Sequence, residues 1–124
     1  MTLDNDTSFI RFQKMPGGGS DKRLKKNITT IDGVLNKVTS LRPVTWHWKT
    51  DDQEKDIQYG FIAQEVERLF PHLVSENVWK DGSTRKFLTT NDMVPFLVSA
   101  IKEQQKQIDS MAKIIKRLEE QNKD

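Results

Sequence analysis

The stretch NDMVPFLVSAIKEQQKQIDSMAKIIKRLEEQN, residues 91–122, sets Val94, Leu97, Ile101, Gln104, Ile108, Met111, Ile115, Leu118 and Asn122 at alternating spacings of three and four. On a helix that spacing gathers the side chains into one stripe, the seam of a coiled coil, which needs a facing helix to cover it. With Val94, Ile101, Ile108 and Ile115 at a positions, Leu97, Gln104, Met111 and Leu118 fall at d. That mixture leaves the strand number open, and Gln104 is a polar d residue of the kind that fixes register. Pro95 falls in the first turn, where its missing N–H is tolerated. The same pattern also fits an amphipathic helix packed on its own domain, but a polar outer face sustained over about four heptads favours self-association.

Working back from this helix, Leu73 to Trp79 and Arg85 to Leu88 flank Lys80-Asp81-Gly82-Ser83. Gly82 can take the positive φ of a tight turn, so the stretch predicts a β-hairpin. Before it, Val66, Leu69 and Phe70 form an apolar stripe on a helix over Gln64 to Phe70, closed by Pro71. The acidic run Asp51 to Asp56 reads as a loop. Val44 to Trp48 alternates β-branched and aromatic residues with polar ones, which predicts a strand with Val44, Trp46 and Trp48 on one face. Ile31, Val34, Leu35, Val38 and Leu41 recur at helical spacing, predicting a helix over Asp32 to Leu41 with an aspartate cap and Pro43 as its stop. The fold class is therefore α+β: short helices and small antiparallel sheets, then a long C-terminal helix.

Composition sets bounds on the function. Of 124 residues, 35% are hydrophobic and 31% charged, which favours extensive solvated helix surface over a large enzyme core. The 20 basic and 18 acidic residues are interspersed for a net charge of +2, so no single-sign field is available to attract a nucleic acid. Cysteine is absent, which removes disulfides and thiolate chemistry, and His47 and His72 stand apart without a metal-ligand cluster. No cofactor and no metal are expected. The apolar runs are too short for a membrane span, and the N-terminus has no apolar signal core.

The N-terminal stretch divides at Met15-Pro16-Gly17-Gly18-Gly19, which cannot continue a helix or a buried strand. Upstream, Phe9-Ile10-Arg11-Phe12 has strand character but too little length to fold alone. Residues 1–19 are thus expected to be the remnant of a larger passenger plus its linker, and residues 20–124 a separate domain. Ser20 follows the glycines, and Lys25 lies five residues on, within Asp21-Lys22-Arg23-Leu24-Lys25-Lys26-Asn27-Ile28. A lysine amine accepts a serine proton only when burial or nearby cations lower its pKa. Lys22, Arg23 and Lys26 supply the cations, and Leu24 and Ile28 are expected to cover the amine once the domain folds. The plainer reading of these residues is a solvated basic stretch before a helix.

Ser20 to Ile28, then Leu41-Arg42-Pro43-Val44 with its aromatic strand, then Tyr59-Gly60-Phe61-Ile62-Ala63-Gln64-Glu65-Val66, closely resemble the chaperone-of-endosialidase family, also classed as the S74 peptidases. The resemblance covers Ser20 to the C-terminus. It implies the C-terminal intramolecular chaperone of a phage tail fibre, tail spike or neck appendage, which forms a homotrimer and assists folding of the upstream passenger. It also implies release by autoproteolysis, with Ser20 as nucleophile, Lys25 as general base and Gly19-Ser20 as the scissile bond. Its trimer seam is expected at Leu97, Ile101, Gln104, Ile108, Met111, Ile115 and Leu118.

The same resemblance implies a protein made in the bacterial host cytoplasm, with the chaperone released and absent from the mature virion. Many family members carry histidine two residues before the glycine of the second motif, where this chain has Gln58, which cannot titrate. His47 is expected to be a strand residue on the far side of the sheet. Two other readings compete: a non-cleaving trimerisation tail, and the self-cleaving domain of a membrane-tethered transcription factor. The latter is expected to continue into a membrane span, whereas the chain ends at Asp124.

Overall fold

A computed structural model describes residues 19–123. The chain divides into two units, Met1–Thr30 and Ile31–Asp124. Phe9–Phe12 and most of the glycine linker lie outside the described residues. The second unit is α+β, as the sequence predicts. In chain order it comprises helix α1 (Leu35–Thr39), strands β1 (Val44–Trp46) and β2 (Gln58–Gly60), helix α2 (Ala63–Leu69), strands β3 (Val74–Val78) and β4 (Thr84–Leu88), and helix α3 (Met93–Gln121).

The first helix is half the expected length. Gly33 has φ +66, a left-handed conformation that delays the helix start, and Val34 rather than Asp32 occupies the N-cap without a side-chain cap of its own. The aspartate cap is thus a correction. The orphan N–H groups of Val34 and Leu35 instead donate to Glu103 Oε1 and Oε2 of α3, at 3.2 and 3.0 Å. The helix also ends before Pro43, with the Thr39 and Ser40 hydroxyls both donating to the Asn36 carbonyl.

Strand β1 pairs antiparallel with β2 in the register Val44↔Gly60, Thr45↔Tyr59 and Trp46↔Gln58. The Trp46 ring lies over Gly60, where an added Cβ would stand 3.1 Å from Trp46 Cη2. Expected to reach Trp48, β1 stops at Trp46. The chain then turns, with Asp51 N–H donating to the Trp48 carbonyl and the Asp51 carboxylate accepting from Lys55 and Asp56 N–H. Trp48 is exposed and meets Trp46 edge-on at 5.6 Å. His47 lies just past the strand rather than in it, with Nδ1 3.3 Å from Asp51 Oδ2.

The β3–β4 hairpin has the predicted turn. Gly82 takes φ +83, and Trp79 N–H donates to the Ser83 carbonyl as Gly82 N–H donates to that of Trp79. Lys86 on β4 ties the hairpin to α2 by donating to Glu67 Oε1 and Oε2 at 2.8 and 2.9 Å, and donates across the hairpin to Glu76 of β3 at 2.8 Å. Val66, Phe70, Leu73 and Met93 form the buried core, flanked by Val38, Leu41, Phe61 and Phe96 among others. Phe70 and Phe96 meet at 4.9 Å. Helix α3 joins this core only with its first turns, burying Met93, Ser99 and Ala100. From Gln104 to Lys123 every side chain is exposed.

Candidate active site

The first unit is described from Gly19 to Thr30, and its geometry begins with a carboxylate. Asp21 caps a single 3₁₀ turn, Lys22–Leu24, its Oδ1 accepting from Arg23 N–H at 2.9 Å. The Arg23 guanidinium returns to the same carboxylate, Nε to Oδ1 at 3.1 Å and Nη2 to Oδ2 at 2.7 Å. These bonds, the guanidinium first and the backbone N–H second, hold the Asp21 carboxyl below its usual range. Lys25 N–H closes the turn on the Lys22 carbonyl, and Lys25 itself is extended, with φ −111 and ψ 148.

That reversal brings together residues five apart in sequence: Lys25 Nζ donates to Ser20 Oγ at 2.6 Å. The two heavy atoms stand within proton-transfer distance, and a base role for the amine needs the bond reversed, with the hydroxyl donating to a neutral Nζ. Gly19 joins Ser20 covalently, so the carbonyl of the expected scissile bond is one residue from the hydroxyl. Asn27, at φ +56, then redirects the chain, a left-handed position that asparagine tolerates better than most residues.

One expectation about this site is overturned. Leu24 and Ile28 are 52% and 66% exposed, and Ser20 and Lys25 are exposed as well, so neither apolar side chain desolvates the amine within a single chain. Adjacent cations are also fewer in effect than the sequence count implies, because Arg23 is neutralised by Asp21.

The remaining candidates lie in the second unit. Gln58 opens β2, half-buried and opposite Trp46. The seam residues share one face of α3. Leu97 is half-buried, whereas Ile101, Ile108, Met111, Ile115 and Leu118 are each more than half exposed, and Gln104 is exposed among them. A concavity of about 870 Å³ in the same unit is lined by Trp46, Trp48, Tyr59, Trp79 and Phe87 among others. Lys86, the lysine in its wall, is already held by two glutamates.

Sequence reasoning missed two contacts that bind the second unit together. Arg42 and Glu65 form a two-point ion pair, and Glu103 reaches the start of α1. Neither carries a local signature, since each joins residues far apart in the chain. Among the described residues, no helix is long and apolar enough to cross a membrane. Residues 20–75 match the model of the Peptidase_S74 family, chaperone of endosialidase, a span that begins at Ser20 and ends in β3.

Proposed function

With residues 20–75 belonging to the chaperone-of-endosialidase family, we propose that this chain is an intramolecular chaperone that trimerises through α3 and releases itself from an upstream phage fibre or spike by cutting Gly19-Ser20. The observation that carries the reading is the 2.6 Å contact between Lys25 Nζ and Ser20 Oγ. Ser20 Oγ attacks the Gly19 carbonyl carbon while Lys25, as the free amine, takes the hydroxyl proton. As the C–N bond breaks, Lys25 passes that proton to the Ser20 nitrogen, leaving the Gly19 acyl group as an ester on Oγ. Water then hydrolyses the ester, giving a Gly19 carboxylate and a free Ser20 hydroxyl with a new α-amine. Glycines before Ser20 let the backbone bend into the attack geometry.

Trimerisation gives the cut its timing. Three chains held by α3 bring their passenger segments to a high effective concentration, turning a three-body encounter into a nearly intramolecular one. In this reading the cut follows assembly, since Leu24 and Ile28 leave Ser20 and Lys25 uncovered within one chain. The released chaperone is then absent from the mature virion.

The test compares the intact mass and N-terminal sequence of the parent with Ser20→Ala and Lys25→Ala, with the assembly mass from light scattering. A parent that begins at Ser20 beside whole, trimeric variants supports the mechanism. A parent that stays whole as a trimer overturns self-cleavage, leaving the second reading, a non-cleaving trimerisation tail. The exposure of Leu24 and Ile28 is the observation that favours that second reading.

A further inference from the structure

We propose that the free edge of β4, where it faces the aromatic concavity, is a strand-addition site for an extended segment of unfolded polypeptide with apolar and acidic side chains. That this segment belongs to the upstream passenger rests on the reading above. The hairpin ladder decides which backbone groups are free. Trp79 N–H donates to the Ser83 carbonyl and Thr89 N–H to that of Leu73, so both ends of the ladder are hydrogen-bonded pairs. Antiparallel pairs alternate between bonded and non-bonded. Lys86 opposite Glu76 and Leu88 opposite Val74 are therefore non-bonded pairs, whose N–H and C=O groups point away from the partner strand. Among the described residues β4 pairs with β3 alone, so the outward groups of Lys86 and Leu88 meet no other strand.

Arg85, Lys86, Phe87 and Leu88 all line the concavity. Successive strand side chains alternate between faces, so four in a row along one wall make that wall the edge of the strand. A strand laid there gains main-chain hydrogen bonds from β4 and apolar cover from Trp46 and Tyr59, which share the lining. Lysine commonly guards such an edge, but Lys86 is tied back by Glu67 and Glu76. Charge selects the occupant. Among the described residues the lining carries Arg42, Arg85 and Lys86 and no carboxylate. Arg42 and Lys86 are paired with glutamates, whereas Arg85 lies over the Trp79 ring at 5.7 Å and donates only to Ser83 Oγ and the Thr84 carbonyl. An acidic side chain on the incoming strand completes Arg85, and a basic one is repelled. Because the edge lies in a concavity, an unattached strand enters it more readily than a second folded domain. A passenger that has not yet folded offers such a strand.

The experiment adds to the full chain a short capped peptide of alternating valine and threonine with a central glutamate. Binding is followed by tryptophan emission, since Trp46, Trp48 and Trp79 line the site. Two altered peptides are compared with it: one N-methylated on both edges, which removes the backbone donors and keeps the side chains, and one with lysine in place of the glutamate. The parent is expected to bind the first peptide about tenfold more tightly than the N-methylated one. Arg85→Glu, at an exposed position, is expected to keep the parental circular dichroism spectrum and to prefer the lysine peptide. Equal affinity for the plain and N-methylated peptides overturns strand addition, as does a folded parent that binds neither. Peptide binding that appears only as the assembly dissociates on dilution assigns the edge to a second copy and overturns the inference. Intact mass reads self-cleavage separately. A parent that never cuts yet binds the peptide refutes the proposed cut and supports the strand site, whereas one that cuts without binding refutes the strand site alone.

Discussion

Arg42 and Glu65 meet through two parallel hydrogen bonds, Nε to Oε1 at 3.0 Å and Nη2 to Oε2 at 2.6 Å. Arg42 comes from Leu41-Arg42-Pro43-Val44 and Glu65 from the segment Tyr59 to Val66, so the pair joins the approach to β1 to helix α2. The Arg42 hydrogen bonds hold the Glu65 carboxyl below its usual range. A lowered carboxylate pKa stabilises the fold above the unfolded-state value and loses that contribution as pH falls through the folded-state value. Both groups are partly exposed, so the effect is modest and screened by salt. Urea midpoints measured from neutral to acid pH should fall less steeply for Glu65→Gln than for the parent, and the difference should shrink in high salt.

Asp21 organises the turn before Lys25, so its loss should disturb the dyad while sparing the second unit. Asp21→Ala removes both the cap and the Arg23 pair. It is expected to slow the proposed cut by about tenfold with an unchanged thermal midpoint. The lowered Asp21 pKa means that the turn keeps this support at neutral pH and loses it only as pH falls through the lowered value. Parallel cleavage and melting curves check both statements.

The small core makes single truncations severe. Phe70 is 4% exposed and packs on Phe96, so Phe70→Ala should cost about 3–5 kcal/mol. Urea unfolding followed by circular dichroism measures the loss. Phe70→Leu retains more of the packing and should cost less.

Gly60→Ala sets a methyl 3.1 Å from the Trp46 ring. Either the ring or β2 must shift, at about 1–3 kcal/mol. Tryptophan emission should change along with stability, because the Trp46 ring also meets Trp48. Unchanged emission and stability would show that the ring does not lie on Gly60 in solution.

The α3 seam gives a prediction about assembly. Ile101→Asp combined with Ile108→Asp puts charges into the proposed interface, and light scattering should fall from a trimer to a monomer mass. Helical circular dichroism should fall too, because every side chain from Gln104 to Lys123 is exposed among the described residues, and short isolated helices are marginal in water. Self-cleavage should stop in the same variant. A monomeric parent would overturn the trimer.

The elements written in local spacing were legible before folding. Gly82 within Lys80–Ser83 specified the hairpin, the three-and-four recurrence from Val94 to Leu118 specified α3, and Pro71 marked the end of α2. Each depends on neighbours within a few positions, where backbone preference and side-chain periodicity act directly. Ser20 and Lys25 stood out as candidates through the resemblance of Ser20 to Ile28 to the chaperone-of-endosialidase family, since their spacing by itself reads as a solvated basic stretch.

Their distance was not legible, because it depends on the Asp21–Arg23 capped turn and on the extended backbone of Lys25. Nor was the start of α1, expected from a local aspartate but supplied by Glu103, 68 and 69 residues away from the groups it caps. The same holds for β1, which ends where Asp51 draws the following loop together, and for β2, which forms by pairing with β1 in the register Val44↔Gly60 to Trp46↔Gln58. Sequence by itself determined that the β3–β4 hairpin is extended and that α2 and α3 are helical, since those preferences are local. Only the tertiary structure decided where they end and which side chains meet, because a donor buried by folding takes its acceptor from whichever element packs against it.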